Sequence, residues 1–402
     1  MQAFKRAKVL LKIFQKLIPV KTNRMLFTSF SGHYSDSPKY RSQKINEFAP
    51  QVEQIWFVKK RLIEKVPEYV KAVDIDNTFQ TFWYRATSHV VIDNVYGEKG
   101  VYLEENEMSK LKFRLITFLN SKRGQLLFTT WHGTPLKKMG RDQVGKKILD
   151  FSCSNTTMIL GNRYTLDIMK HLTFEKIHME LLGTPRNDIL FSTLENVDKL
   201  KEKLGLPLNK KIVLFAPTFR SDTSGMNNTN IYRSGINQLN DIDLDCLFKT
   251  LSAKFGGDWA MVCRFHYHVE ALVDWTELQE KHPGSIINGN KHEDMAEYLA
   301  CADVLITDAS SAMFDFAATK KPCFLFFPDI EYYQNVERGL YIPIEELPFK
   351  TAKTFSDLLK SVDEFNDAEY IQKMAELLKQ LGSVDNSRSS EKVAEYILEK
   401  SL

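Results

Sequence analysis

The chain has 402 residues, 43% hydrophobic and 26% charged, an ordinary globular composition of a length that suggests two domains rather than one core. Its net charge of +3 is too small to imply nucleic acid. No run approaches 18 apolar residues, so no transmembrane helix is expected. Five scattered cysteines (Cys153, Cys246, Cys263, Cys301 and Cys323) suit a reducing cytoplasm and argue against a disulfide framework or a zinc site.

Residues 1–35 hold seven basic residues and no acid. Phe4, Ala7, Leu10, Leu11, Phe14, Leu17 and Ile18 recur at helical spacing, Lys5, Lys8, Lys12 and Lys16 take the opposite side, and Pro19 ends the pattern. This predicts a basic amphipathic helix suited to an anionic membrane surface. A helix packed on the core is the alternative. Lys12 and Lys16 interrupt the apolar region and no small-residue cleavage site follows, which argues against a signal peptide. A second basic segment, Lys110–Arg123, fits the same surface or a solvated helix.

Apolar runs then alternate with polar loops and helical patterns. Candidate strands are Met25–Phe30, Gln54–Val58, His89–Asp93, Leu126–Thr130, Thr157–Leu160 and His178–Leu182, followed by Ile212–Ala216, Trp259–Phe265, Ser285–Ile287, Val304–Thr307 and Cys323–Phe327. Alternation with helices predicts parallel sheets. Two such sets predict two Rossmann-like α/β domains, 1–195 and 196–402, with a linker near 190–210.

In open α/β sheets ligands bind beyond the carboxyl ends of strands, and chemistry-bearing residues gather there. Residues 131–140 read WHGTPLKKMG. His132 can take a proton near neutral pH. Gly133 permits close backbone approach, and Thr134, Lys137 and Lys138 offer donors and charge to a phosphate. A βα loop with a capping Thr is the plainer reading. Gly183–Asp188 reads as a structural turn whose Asn or Asp caps the next helix. Pro217-Thr218-Phe219-Arg220 puts Arg220 at a strand mouth, to grip phosphate or to pair with Asp222. Arg264, His266 and His268 share one side if their strand is regular; His-x-His could hold a metal, but no further ligand lies near. Asp241–Asp245 reads as a helix start. Asp308, Ser310 and Ser311 sit between a strand and a helix, where amides and hydroxyls meet phosphate or cap the helix.

These motifs occur in order with Ser35–Tyr40 (SDSPKY) before them and Arg338–Tyr341 (RGLY) after, and together they resemble the CDP-glycerol glycerophosphotransferase family over residues 24–345. The resemblance implies a GT-B fold, with two Rossmann-like domains facing across a cleft. It implies transfer of glycerol phosphate, or a related polyol phosphate, from its CDP-activated form to a hydroxyl of a membrane-linked glycan or growing polyol-phosphate polymer, with release of CMP. His132 and His266 become the catalytic candidates. Thr218, Arg220, Arg264, Asp308, Ser310, Ser311 and Arg338 become the donor side, and Gly133, Thr134, Lys137 and Lys138 the acceptor and phosphate side. No cofactor is required on this reading; divalent-metal dependence, polyol, acceptor and oligomeric state are unspecified. The expected location is the cytoplasmic face of the membrane, held peripherally. Two other classes remain: a GT-B glycosyltransferase using a nucleotide sugar, and a non-catalytic membrane-associated nucleotide-binding module. After Arg220 the family usually places an acid, but Ser221 intervenes here. The Pro-Gly pair usual after RGLY is absent.

Overall fold

The computed structural model describes residues 18–30, 32–95, 124–142, 156–173, 177–218, 220, 234–333 and 339–401. Residues 4–17 of the expected N-terminal helix, all of Lys110–Arg123, Asp222 and Arg338 lie outside them. Packing divides the chain into two compact units. The first comprises Met1–His132, Leu149–Asp188 and Ser383–Leu402; the second comprises Gly133–Ile148 and Ile189–Gly382. The chain thus crosses between units more than once, where the sequence suggested one boundary after residue 195.

Among the described residues the first unit holds a seven-stranded sheet. Its strands are β1 (Lys21–Phe27), β2 (Glu53–Val58), β3 (Val70–Asp74), β4 (Ser88–Asp93), β5 (Leu126–Thr129), β6 (Thr156–Leu160) and β7 (His178–Leu181). They are all parallel, in the order β3-β2-β1-β4-β5-β6-β7. Alternate residues bury on opposite faces. Met25, Phe27, Trp56, Val90, Ile92 and Phe128 pack with Val393, Ala394 and Ile397 of the helix Ser389–Ser401. Leu26, Ile55, Phe57, Val91 and Leu127 fill the other face. A sheet covered on both faces reads as continuous apolar runs, which is why these strands stand out in the sequence. Each such side chain contributes about 1.5–3 kcal/mol on burial.

The second unit holds a six-stranded parallel sheet, ordered β10-β9-β8-β11-β12-β13. The strands are β8 (Lys211–Ala216), β9 (Trp259–Cys263), β10 (Ile286–Asn288), β11 (Val304–Thr307), β12 (Cys323–Phe326) and β13 (Lys350–Ala352). In each sheet the strand order reverses beside its first strand, between β1 and β4 and between β8 and β11. Those are the switch points where open α/β sheets bind ligands.

The structure corrects several strand limits. β1 begins earlier and ends at Phe27, short of Phe30, and β9 ends at Cys263, short of Phe265. The expected linker contains the helix Leu194–Leu204, with Leu200 and Leu204 buried and Lys203 paired to Glu297 at 2.5 Å. It is a packed part of the second unit. Asp243 does start a helix, Leu244–Phe255, accepting from Cys246 N at 3.0 Å.

Candidate functional site

In the first unit, β5 ends two residues before Trp131, and His132 follows beside the β1/β4 switch. His132 Nδ1 lies 3.0 Å from the Asn94 carbonyl. A carbonyl only accepts, so Nδ1 carries the proton and Nε2 keeps its lone pair in the neutral ring. The ring packs on Trp131 (4.1 Å between centroids) and edge-on to Phe30 (5.8 Å). Burial pushes its pKa below the usual histidine value; the Asn94 carbonyl and the Asp36 carboxylate oppose that shift, and Arg186 adds to it.

Backbone strain collects around this ring. Among the described residues four non-glycine residues have left-handed φ: Phe30 (32°), Asp36 (59°), Trp131 (51°) and Lys320 (58°). The first three are the two ring neighbours of His132 and its carboxylate neighbour. Such conformations cost of order 1–3 kcal/mol each and persist at functional sites.

Asp36 opens the helix Asp36–Phe48 and pairs with Arg186 at 3.3 Å, both side chains buried. The GTPRND turn is therefore structural in a way the sequence did not reveal. Arg186 reaches back to SDSPKY. Asp188 does not cap the next helix but the helix Ser389–Ser401, accepting from Ser389 N at 2.9 Å and Ser390 N at 2.7 Å. Gly183, at φ +106°, is required there: a Cβ would lie 2.6 Å from Ser389 Cβ.

Beside Asp36, Arg41 is fully buried. Its Nη2 donates to the Asp93 carbonyl at 3.2 Å and its Nε to the Ser37 carbonyl at 3.3 Å. Burial lowers Arg41 to about 9 and raises Asp93 to about 7. Nothing in the sequence patterning marked Arg41 or Asp93, since a charged residue in an ordinary helix or strand carries no sign of its burial.

In the second unit the register that pairs Thr307 with Ala216 brings the loops after β8 and β11 together. Asp308 accepts from Thr218 N at 2.7 Å and from the Thr218 hydroxyl. Arg220 binds two carboxylates. It meets Asp329 bidentately, with Nε and Nη2 each at 2.8 Å, and Asp308 at 2.7 Å. Burial alone would lower its pKa, but the two acids together raise it above the ordinary arginine value. Its guanidinium also lies 4.7 Å from the Tyr333 ring. Neither Asp329 nor Tyr333 was read as its partner.

Arg264 is oriented away from the expected arrangement. The chain leaves β9 at Cys263 and turns into the helix Tyr267–Glu270, so the strand alternation proposed for Arg264, His266 and His268 does not hold. Arg264 donates to the carbonyls of Gly289, His292 and Glu293 at 2.5, 2.7 and 2.9 Å. His266 is exposed, and its carbonyl accepts from Val269 N at 2.8 Å. Asn288-Gly289-Asn290, a turn sequence, was the signal for this loop. Asn290 both donates to the Phe265 carbonyl and accepts from Phe265 N.

Ser310 and Ser311 are half-buried ahead of the helix Ala312–Ala317. Ser310 Oγ accepts from Ala312 N at 3.3 Å, while the Ser311 side chain makes no capping bond. Gly133, Thr134, Lys137 and Lys138 belong to the second unit although His132 belongs to the first.

Known proteins share this fold. The chain is 29% identical over 94% of its length to a teichoic acid poly(glycerol phosphate) polymerase of Staphylococcus epidermidis, covering 51% of that protein. It is 28% identical over 96% of its length to a teichoic acid glycerol-phosphate transferase of Staphylococcus aureus, covering 95% of it. Against the structure of the wall teichoic acid polymerase TagF it gives a TM-score of 0.75 at 25% identity, covering 99% of this chain and 95% of that one. The fold is accordingly GT-B-like, with two parallel-sheet α/β units, as expected. The chain spans about half the length of the first two polymerases it matches. Residues 10–399 match the family described as CDP-Glycerol:Poly(glycerophosphate) glycerophosphotransferase, and the chain belongs to that family.

Proposed function

We propose that the chain transfers glycerol phosphate, or a related polyol phosphate, from its CDP-activated form to a hydroxyl of a membrane-linked acceptor. The acceptor is a growing polyol-phosphate polymer or the glycolipid that primes it. The acceptor oxygen bonds to the phosphorus that bears the polyol, and the bond from that phosphorus to the bridging oxygen breaks. CMP leaves with the electron pair, and His132 Nε2 takes the acceptor proton. Phosphoryl transfer needs alignment and charge neutralisation more than covalent help. His266, Ser310 and Ser311 meet the diphosphate, and Arg338 belongs to the same side. Thr218, Asp308 and Arg220 stiffen the loops that frame it, and Arg264 props the loop behind His266.

The observation that carries this reading is the His132–Asn94 contact, which leaves Nε2 able to act as a base at a sheet switch point. The relatives support it: they are named for glycerol-phosphate transfer and polymerisation, and a TagF variant has been solved after a CDPG soak. A donor screen with CDP-glycerol, CDP-ribitol and sugar nucleotides on a lipid-linked acceptor tests it. Release of CMP from a CDP-polyol supports the reading. Turnover of a nucleotide sugar alone would make the chain a glycosyltransferase, and binding without turnover would make it a binding module.

The same reading holds the chain at the cytoplasmic membrane face through Lys5, Lys8, Lys12 and Lys16. No helix among the described residues is long and apolar enough to cross a membrane. Changing these four lysines to Glu should release the chain from anionic vesicles; unchanged pelleting would reject this attachment.

A further inference from the structure

The segment after His132 is tied within the second unit by a short antiparallel strap. Tyr341 N donates to the Leu136 carbonyl at 2.8 Å and Lys138 N to the Gly339 carbonyl at 3.1 Å. Lys137 and Leu340 bridge between them. The Tyr341 hydroxyl adds two bonds, accepting from Met139 N at 3.2 Å and donating to Asp142 Oδ2 at 2.7 Å. Gly339, at φ +66°, allows the approach; a Cβ there would lie 3.4 Å from Lys138 Cδ.

Successive side chains of an extended strap point to opposite sides, and the two lysines differ accordingly. Lys138 covers Gly339. Lys137 Nζ lies 5.3 Å from the centroid of the Tyr333 ring, the ring that Arg220 approaches at 4.7 Å. Arg220 in turn binds Asp308, which holds Thr218 at the β8/β11 switch. A chain of contacts therefore runs from Lys137 to the strand ends of the second unit. The sequence had grouped Lys137 and Lys138 together on the acceptor side, and only the strap separates them.

We propose that Lys137 binds a phosphate of the nucleotide-linked donor, and that Tyr341 and Asp142 are positioning residues that hold the strap in register for it. This rests on the CDP-polyol reading above. Titration calorimetry with a non-transferable CDP-glycerol analogue, run beside steady-state kinetics and melting curves, tests it. Lys137→Ala should weaken analogue binding by about 10- to 100-fold, the worth of one hydrogen bond to a charged group. Lys138→Ala should change it far less. Tyr341→Phe removes both hydroxyl bonds and should weaken binding by about 5- to 10-fold, since they act on the phosphate only through the strap, leaving the acceptor KM unchanged. Asp142→Ala removes one of those bonds and should weaken binding by no more than Tyr341→Phe does, while Asp142→Asn, which keeps an acceptor oxygen, should bind as wild type. The double variant Tyr341→Phe with Asp142→Ala should be no weaker than Tyr341→Phe alone. Wild-type protein that fails to bind the analogue removes the CDP-polyol reading itself. Wild-type binding with Lys137→Ala or Tyr341→Phe unaltered, or with the Tyr341 and Asp142 losses adding, overturns this inference alone.

Discussion

His132 donates its Nδ1 proton to the Asn94 carbonyl at 3.0 Å, and this one contact selects the tautomer. Asn94 follows β4 and His132 follows β5, so adjacent parallel strands supply both halves of the pair. The carbonyl belongs to the backbone, so no side-chain replacement at Asn94 removes it.

His132→Ala should lower kcat by about 10²–10⁴, the usual worth of general base catalysis, with donor affinity little changed. A base works only when neutral, so kcat/KM should rise with pH through the His132 pKa. Burial lowers that pKa from 6.5, which puts the acid limb of the profile below the ordinary histidine range. A well-folded variant with wild-type turnover removes His132 from the chemistry.

Asp36 favours the charged ring, so Asp36→Asn should move that acid limb further down in pH. The same change leaves Arg186 buried without its ionic partner and should cost about 3–5 kcal/mol. Denaturant melts read the second effect and a pH–rate profile reads the first. An acid limb that stays put would separate Asp36 from His132.

Arg220→Ala strips a buried cation from Asp308, which is fully buried, and should cost about 3–5 kcal/mol. Arg220→Lys should not restore stability, because an ammonium cannot reproduce the two-pronged grip on Asp329. Equal melting of the Lys variant and wild type would show that the bidentate geometry is dispensable.

Asp188→Ala should uncap the helix Ser389–Ser401. Loss of the cap should cost about 0.5–2 kcal/mol, seen as faster amide exchange in that helix. Exchange that is unaltered there, or altered only around Gly183–Phe191, would reject this role.

The strands buried on both faces were legible because an apolar run such as Val304–Thr307 has no polar reading. β3 and β13 were not. Each lies at a sheet edge with a single partner strand, and their sequences VKAVD and KTA bury too little to leave a pattern. The glycine- and proline-bearing motifs located the strand ends, and thus the candidate site, because turn chemistry is local. Partners across the chain were not local. Asp329 lies 109 residues from Arg220, and Asp188 lies 201 residues from Ser389. No spacing rule connects such pairs. Nor could periodicity show that the chain changes units between His132 and Gly133, or that Ser383–Leu402 returns to the first unit.

On the proposed reading, polyol phosphate passes from a CDP-linked donor to a hydroxyl with His132 as the base. The most direct measurement follows CMP release and phosphodiester formation together by phosphorus NMR, with CDP-glycerol, a lipid-linked acceptor, and wild-type or His132→Ala protein. Wild type should form one new phosphodiester per CMP released, and the variant should show about 10²–10⁴-fold slower appearance of both. CDP-glycerol left intact by the wild type, or CMP released with no phosphodiester formed, would contradict that reading.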